Sequence, residues 1–363
     1  MKNFNENSSL ITKIKQIRKK FIEKRAKGSN LKLEKPVSYW IKEDRLLNSR
    51  GKEFTIILRT KGCSWALGGS GGCSMCGYIG DSNIDPVDSE QIIHQFDYAM
   101  ERKENEIKSS KDDFVLKIFN SGSFFDDDEI SENVRTHIYD KIKTYDKIKE
   151  IVVESRVEYL RNNKLEAMQK ALKDKYVEIA IGLESVDDHI RNNYVNKGLL
   201  YHDFLEAVEL CKKYNLGVRV YLLFKPPFLN EQAAIDDCIN SVNTLINLQV
   251  NTISINPINI QKGSYIEYLW YQNRYRPPWF YSLIKALRKI LLSRKEGINT
   301  RIISDPSGAG TKRGIHNCLK RECNENMLLL LRKFVLTQNG DELSKDVPQC
   351  ECKLEYKLKK LFI

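Results

Sequence analysis

Seven short apolar runs alternate with six longer stretches of helical period, and this rhythm leaves the chain few architectures. The runs span 54–58, 115–120, 151–155, 177–183, 218–225, 252–256 and 300–304, and between them lie 89–108, 128–143, 158–174, 202–215, 231–247 and 278–295. Most of the runs are continuously apolar, as expected of strands buried on both faces of a parallel sheet. Strand then helix, repeated six times, predicts an α/β fold with the helices outside the sheet. The count favours a partial (β/α)6 barrel of the TIM type, and a flat doubly wound sheet shares the same local pattern. Both architectures gather ligands at the carboxyl ends of the strands. The rhythm divides the chain into an arm at 1–35, a barrel at 36–304 and an extension at 305–363.

Charge is concentrated in the arm. Residues 1–35 hold eleven Lys and Arg against three Glu, out of a net +11 for the whole chain. Leu10, Ile14, Ile17 and Phe21 recur there at helical spacing, predicting a basic amphipathic helix. A polyanion such as RNA gains most from that field, because neutralising phosphates releases counterions. A lysine-rich solvated helix is the plainer alternative. No stretch approaches the roughly 18 consecutive apolar residues of a membrane span. The basic start lacks the apolar centre of an export signal, so a cytoplasmic protein without a membrane partner is expected. Nine cysteines in such a chain point to metal or redox chemistry rather than disulfides.

Cys63, Cys73 and Cys76 form a C-x9-C-x2-C motif just beyond the first apolar run, where the fold would place a site. Structural zinc is normally closed by four ligands, and no histidine lies between Glu53 and Asp81. Three thiolates suit a four-iron cluster with one iron left open for a ligand. The intervening SWALGGSGG has four glycines, whose backbone can wrap closely round a cluster. Zinc completed by a distant ligand and uncoordinated thiols are the alternatives.

A three-cysteine loop after the first strand of such a barrel resembles the radical S-adenosylmethionine (SAM) superfamily. The long first spacing departs from the common C-x3-C-x2-C and is similar to the Elongator catalytic subunit branch. KPVSYW, ILRTKGCSW, GGCSMCGY, IGLESVDDHIR, YLLFKPP, SINPINIQKG, YRPPW and DPSGAGTKRGIHNC, in that order, resemble the archaeal archaeosine-biosynthesis radical SAM family known as RaSEA. The resemblance runs from about Pro36 to Cys352.

That resemblance implies a [4Fe-4S] cluster on Cys63, Cys73 and Cys76, and reductive cleavage of SAM to a 5′-deoxyadenosyl radical. It further implies a lyase that breaks a carbon–nitrogen bond in the lysine adduct of 7-cyano-7-deazaguanine at tRNA position 15, leaving archaeosine. The implied partners are tRNA, the lysine-adding enzyme of the same pathway and an electron donor. The implied SAM contacts are Met75; Ser121, Gly122 and Ser123, standing where glycine and glutamate are common; Glu154 and Arg156; and Glu184 and Ser185. A carboxylate accepts ribose hydroxyls and an arginine forks onto a carboxylate. Lys225, Asn256 and Asn259 end the next two strands and are further candidates.

The extension supplies a second group. Cys318, Cys323, Cys350 and Cys352 make two pairs about thirty residues apart, the arrangement of a four-coordinate zinc site, with His316 as an alternative ligand. A second iron–sulfur cluster is the rival reading. Cys211 and Cys238 fall in helical stretches and are expected to be buried apolar residues.

Two other functions compete. An Elongator-like activity would need an acetyltransferase domain, which the fewer than sixty residues beyond Asp305 cannot hold. A zinc-stapled RNA-binding protein without catalysis is the other.

Overall fold

A computed structural model describes residues 9–26, 32–293, 299–344 and 350–361. Parts of the predicted arm (1–8 and 27–31), the end of the predicted 278–295 helix, and 345–349 and 362–363 of the extension lie outside the described residues. The sheet has eight strands in the order of the chain: β1 (Ser38–Arg45), β2 (Arg50–Ile57), β3 (Phe114–Phe119), β4 (Ile148–Glu154), β5 (Tyr176–Glu184), β6 (Gly217–Phe224), β7 (Thr252–Pro257) and β8 (Arg301–Ile303). β2 to β8 are parallel throughout, and β1 pairs antiparallel with β2.

The helices are α1 (Ser9–Ala26), α2 (Ser64–Leu67), α3 (Ser89–Lys108), α4 (Glu132–Lys143), α5 (Asn162–Ala171), α6 (Tyr201–Lys213), α7 (Glu231–Asn247), α8 (Tyr265–Tyr271), α9 (Phe280–Ser293), α10 (Arg321–Thr337), α11 (Asp341–Ser344) and α12 (Cys352–Lys359). All seven predicted strands are present. β1 escaped the sequence reading because it is an edge strand of mixed polarity, SYWIKEDR, mostly half-buried. No described helix is long and apolar enough to cross a membrane.

Strand residues alternate between two environments. Phe54, Ile56, Leu116, Ile118, Ile151, Val153, Ile179, Ile181, Val218, Val220, Ile253 and Ile255 join the helices in one large core. Each such fully buried side chain contributes about 1.5–3 kcal/mol. The intervening positions face inward, and on the amino-terminal side they are charged, which the expectation of continuously apolar strands missed. Arg219 bonds Glu178 at 2.8 Å, Arg301 reaches Glu178 at 3.0 Å and Glu150 at 3.2 Å, and Lys117 meets Asp44 at 2.6 Å. Burial alone would raise the Glu178 carboxyl, but Arg219 and Arg301 outweigh it and hold it at about 2. This matched floor leaves the opposite, carboxyl end of the strands for chemistry.

Candidate active site

The loop after β2 carries the three cysteines, and local turns set their order. Ala66 and Leu67 donate to the Cys63 carbonyl at 3.0 and 3.1 Å, starting α2, and Cys76 N donates to the Cys73 carbonyl at 3.2 Å. Three outside elements then fix the loop. From α1, Arg18 Nε donates to the Gly71 carbonyl at 3.1 Å and Nη2 to the Cys76 carbonyl at 2.7 Å. Beyond a π-helical turn at Ile190–Tyr194, Asn196 Nδ2 donates to the Gly72 carbonyl and its own carbonyl accepts from Trp65 Nε1, both at 2.8 Å. At the start of α8, Ile266 N donates to the Ser74 carbonyl at 3.1 Å. Backbone carbonyls are used throughout, which leaves the thiols uncommitted.

All three thiols are half-buried. Burial raises the Cys63 thiol against the pull of Arg156. Burial and the neighbouring Cys73 push Cys76 up to about 12, with Arg18 pulling the other way. Without a metal Cys63 and Cys76 would remain protonated, whereas coordination by iron stabilises the thiolate. The trio is also spread too widely for one ion. Among the described residues, only the four tail cysteines bring three or more ligand atoms within 4.8 Å of one another. Three converging but separated soft donors fit a multi-iron cluster.

Around them lie the ends of β3, β4 and β5. Ser121 (φ 59°) after β3 and Glu184 (φ 70°) at the end of β5 are non-glycine residues in the left-handed region. Such backbone costs of order 1–3 kcal/mol each and concentrates at functional sites. Ser123 N donates to Glu129 Oε1 at 2.9 Å, and Ser123 Oγ accepts from Arg156 N at 3.1 Å. A side chain at Gly122 would lie 2.0 Å from the Glu129 carboxylate, so any larger residue would displace that carboxylate from its partners. Glu129 also accepts from Thr60 Oγ1 and Asn120 Nδ2 at 2.9 Å each, yet burial still lifts it to about 8. Burial likewise lifts Glu154, at the end of β4, to about 7.

Two cations complete the rim. Arg156 stacks over Trp65 at 5.0 Å and donates to the Lys197 carbonyl at 3.1 Å. Burial disfavours its charge, but Glu158, Cys63 and Cys73 outweigh burial and raise its pKa. Lys197 pairs with Glu184 at 2.7 Å, and Glu184 and Cys73 likewise overcome its burial.

Not every expected contact faces this site. Ser185 is 0% exposed, and its hydroxyl donates to Asp237 of α7 at 2.5 Å. Glu184 just before it is left-handed, and the Ser185 hydroxyl, expected to meet SAM, is committed to α7. Lys225 is buried in a 2.9 Å pair with Glu231, Asn259 donates to Ser307 at 3.2 Å, and Asn256 turns back on Ser254. Met75 packs with Cys73 against the cluster of Val195, Ile258 and Ile266. Glu129, Lys197 and Arg18 were missed by the sequence reading, because none belongs to a spaced motif and only the folded backbone turns them towards the site.

The tail thiols are gathered differently. Cys318 and Cys350 are 3.9 Å apart at sulfur, Cys323 and Cys352 are 3.8 Å apart, and all four lie within 4.8 Å of one another. Four Zn–S bonds of about 2.3 Å put tetrahedral sulfurs about 3.8 Å apart. The group can therefore hold a metal ion, and its spacing is that of a single one. His316, the alternative ligand, stands outside the group, its Nδ1 2.7 Å from the Gly314 carbonyl. Asn317 Nδ2 donates to Cys323 Sγ at 3.7 Å, and the Tyr281 hydroxyl lies 3.5 Å from Cys352 Sγ. Cys211 and Cys238 are buried in the core as expected.

Comparison with known proteins agrees with this geometry. The radical SAM superfamily model matches residues 57–238. Archaeosine synthase subunit beta of Methanosarcina acetivorans is 38% identical over 332 residues, 92% of this chain and 92% of the relative. That of Thermococcus kodakarensis is 34% identical over 321 residues, 88% of this chain and 96% of the relative. The archaeal Methanocaldococcus infernus Elp3 with an N-terminus deletion is similar in structure, with a TM-score of 0.49 at 17% identity, covering 67% of this chain and 59% of that one. With half its length matched by the superfamily and two relatives aligned nearly end to end, this chain belongs to the radical SAM superfamily and, within it, to the archaeosine synthase subunit beta family.

Proposed function

We propose that this chain is the radical SAM subunit of an archaeosine-forming enzyme. It breaks a carbon–nitrogen bond in the lysine adduct of 7-cyano-7-deazaguanine at tRNA position 15. The observation that carries this reading is the near full-length similarity to two proteins named archaeosine synthase subunit beta, in a chain that keeps three uncommitted thiols at its strand ends.

In this reading Cys63, Cys73 and Cys76 hold a [4Fe-4S] cluster, with one iron left for SAM. When bound, cluster and SAM supply a radical able to remove hydrogen from an unactivated carbon. The chain's own residues bind and orient. Arg156 and Lys197 lie within electrostatic reach of the thiols and suit a carboxylate, whether of SAM or of the lysine moiety. Glu154 would accept ribose hydroxyls, and the 121–123 turn would stand beside SAM. Lys19, Lys20 and Lys24 are exposed on α1 and suit tRNA phosphates. A second subunit that adds the lysine would supply the substrate, in keeping with the relatives' naming as a subunit, and an external electron donor would reduce the cluster. For the tail cysteines we favour zinc, because a cluster interposes an iron behind each thiolate and holds the sulfurs further apart than 4.8 Å.

The reaction is tested by anaerobic reconstitution with iron, sulfide and a reductant, incubation with adduct-bearing tRNA, and nucleoside digestion. Loss of the adduct with appearance of archaeosine is expected. SAM cleavage with the adduct untouched would reject this substrate while keeping the superfamily chemistry. Metal analysis should find four irons and one zinc per chain, and eight irons would reject the zinc assignment.

A further inference from the structure

The charged residue most deeply buried on α1 is not aimed at solvent. Arg18 is 3% exposed and spends Nε and Nη2 on the Gly71 and Cys76 carbonyls. Its Nη1 is buried without a hydrogen-bond partner among the described residues. No carboxylate there pairs with it, and an uncompensated buried cation is costly. Its hydrogen bond to the Cys76 carbonyl sets the guanidinium at the backbone of one of the three loop cysteines.

The rest of α1 is shaped to deliver that group. Ile14, one turn earlier, is 2% exposed. Gly71 lets the loop approach the helix backbone, since a Cβ there would meet Lys15 Cα and N at 3.1 Å. Phe21, one turn later, fills the space beside Gly263, where a Cβ would meet its ring at 2.3 Å. Gly71 of the insert and Gly263 before α8 therefore seat the helix.

We propose that Arg18 is a positioning residue of the cluster site: α1 presses a fixed positive charge against Cys76, ordering the loop and raising the reduction potential of the bound cluster. The inference rests on the cluster assignment above. Reduction adds a negative charge, and a buried cation beside it favours the reduced state, with little screening by salt.

The test is an EPR-monitored redox titration of the full reconstituted chain. The wild type must first hold four irons at the loop; if it does not, the cluster assignment itself fails, separately from this inference. Arg18→Met is expected to lower the equilibrium constant for one-electron reduction about tenfold or more, equivalent to at least about 59 mV. Arg18→Lys should recover most of that shift, and Lys20→Met, which removes an exposed charge on the same helix, should leave the potential unchanged. An Arg18→Met cluster with wild-type potential would overturn the proposal. If Arg18→Met loses its iron, Arg18→Lys decides. Retention at near wild-type potential supports the charge, and loss from both variants overturns it, leaving Arg18 as an anchor only.

Discussion

Cys318, Cys323, Cys350 and Cys352 close on one another until their sulfurs lie within 4.8 Å, whereas Cys63, Cys73 and Cys76 sit in a loop held by α1, the 190–198 segment and α8. The tail group's sulfurs are hydrogen-bonded by Asn317 and Tyr281, and Lys320 and Arg276 stand within electrostatic reach. The loop group is ringed by Arg18, Arg156 and Lys197, with Glu129 and Glu154 pushed up to about 8 and 7 nearby. A closed set of four donors has no position left for a ligand, while an open set of three has one. In the function proposed above, that difference would separate a staple from a reaction centre, although the same side chain builds both.

Removing one thiol from each set is the sharpest way to break this comparison. Cys76→Ala should abolish cluster iron and SAM cleavage while leaving the tail metal and the thermal unfolding midpoint near wild type, as checked by metal analysis and circular dichroism. Cys323→Ser should do the converse. Loss of the tail metal should destabilise the chain by more than about 3 kcal/mol in denaturant unfolding, while iron at the loop persists. Equal loss of both metals from either variant would mean that the two sets are one cooperative unit.

A smaller effect sharpens the electrostatic half of the contrast. The folded Glu129 carboxyl is raised to about 8 from an ordinary 4.5, so the native state holds a proton that the unfolded chain releases. Its stabilising contribution is complete below the unfolded value and is lost as pH rises through the folded one. Unfolding free energy measured from pH 5 to 9 should therefore fall by up to a few kcal/mol from this group. Glu129→Gln should flatten that slope, and a slope unchanged in the variant would assign it elsewhere.

Much of the architecture was legible because it is written in local periodicity. Apolar runs and helical stripes fall at the positions of β2 to β8 and their helices, as in 89–108 and 231–247, which α3 and α7 match end for end. The cysteine motifs were equally plain, since spacing is a sequence property. Edge strand β1 was not, having neither an apolar run nor a uniform face. Ser185 looked like its neighbour Glu184, but Glu184 is left-handed and the two find different partners, Lys197 for Glu184 and Asp237 for Ser185.

The sequence by itself determined the barrel, the two cysteine sets and the family, because each rests on residue order and spacing along one stretch of chain. Tertiary structure alone decided which charges surround the thiols. Arg18 reaches Cys76 across 58 positions, and Lys197 reaches Glu184 across 13. Glu129, carried beyond β3, closes beneath Gly122 and Thr60. Such contacts depend on where strands end in space, and burial there shifts a carboxylate in the opposite direction from Glu178 at the barrel floor. Whether a buried charge meets a partner is a property of the packed interior, which no local pattern in the chain encodes.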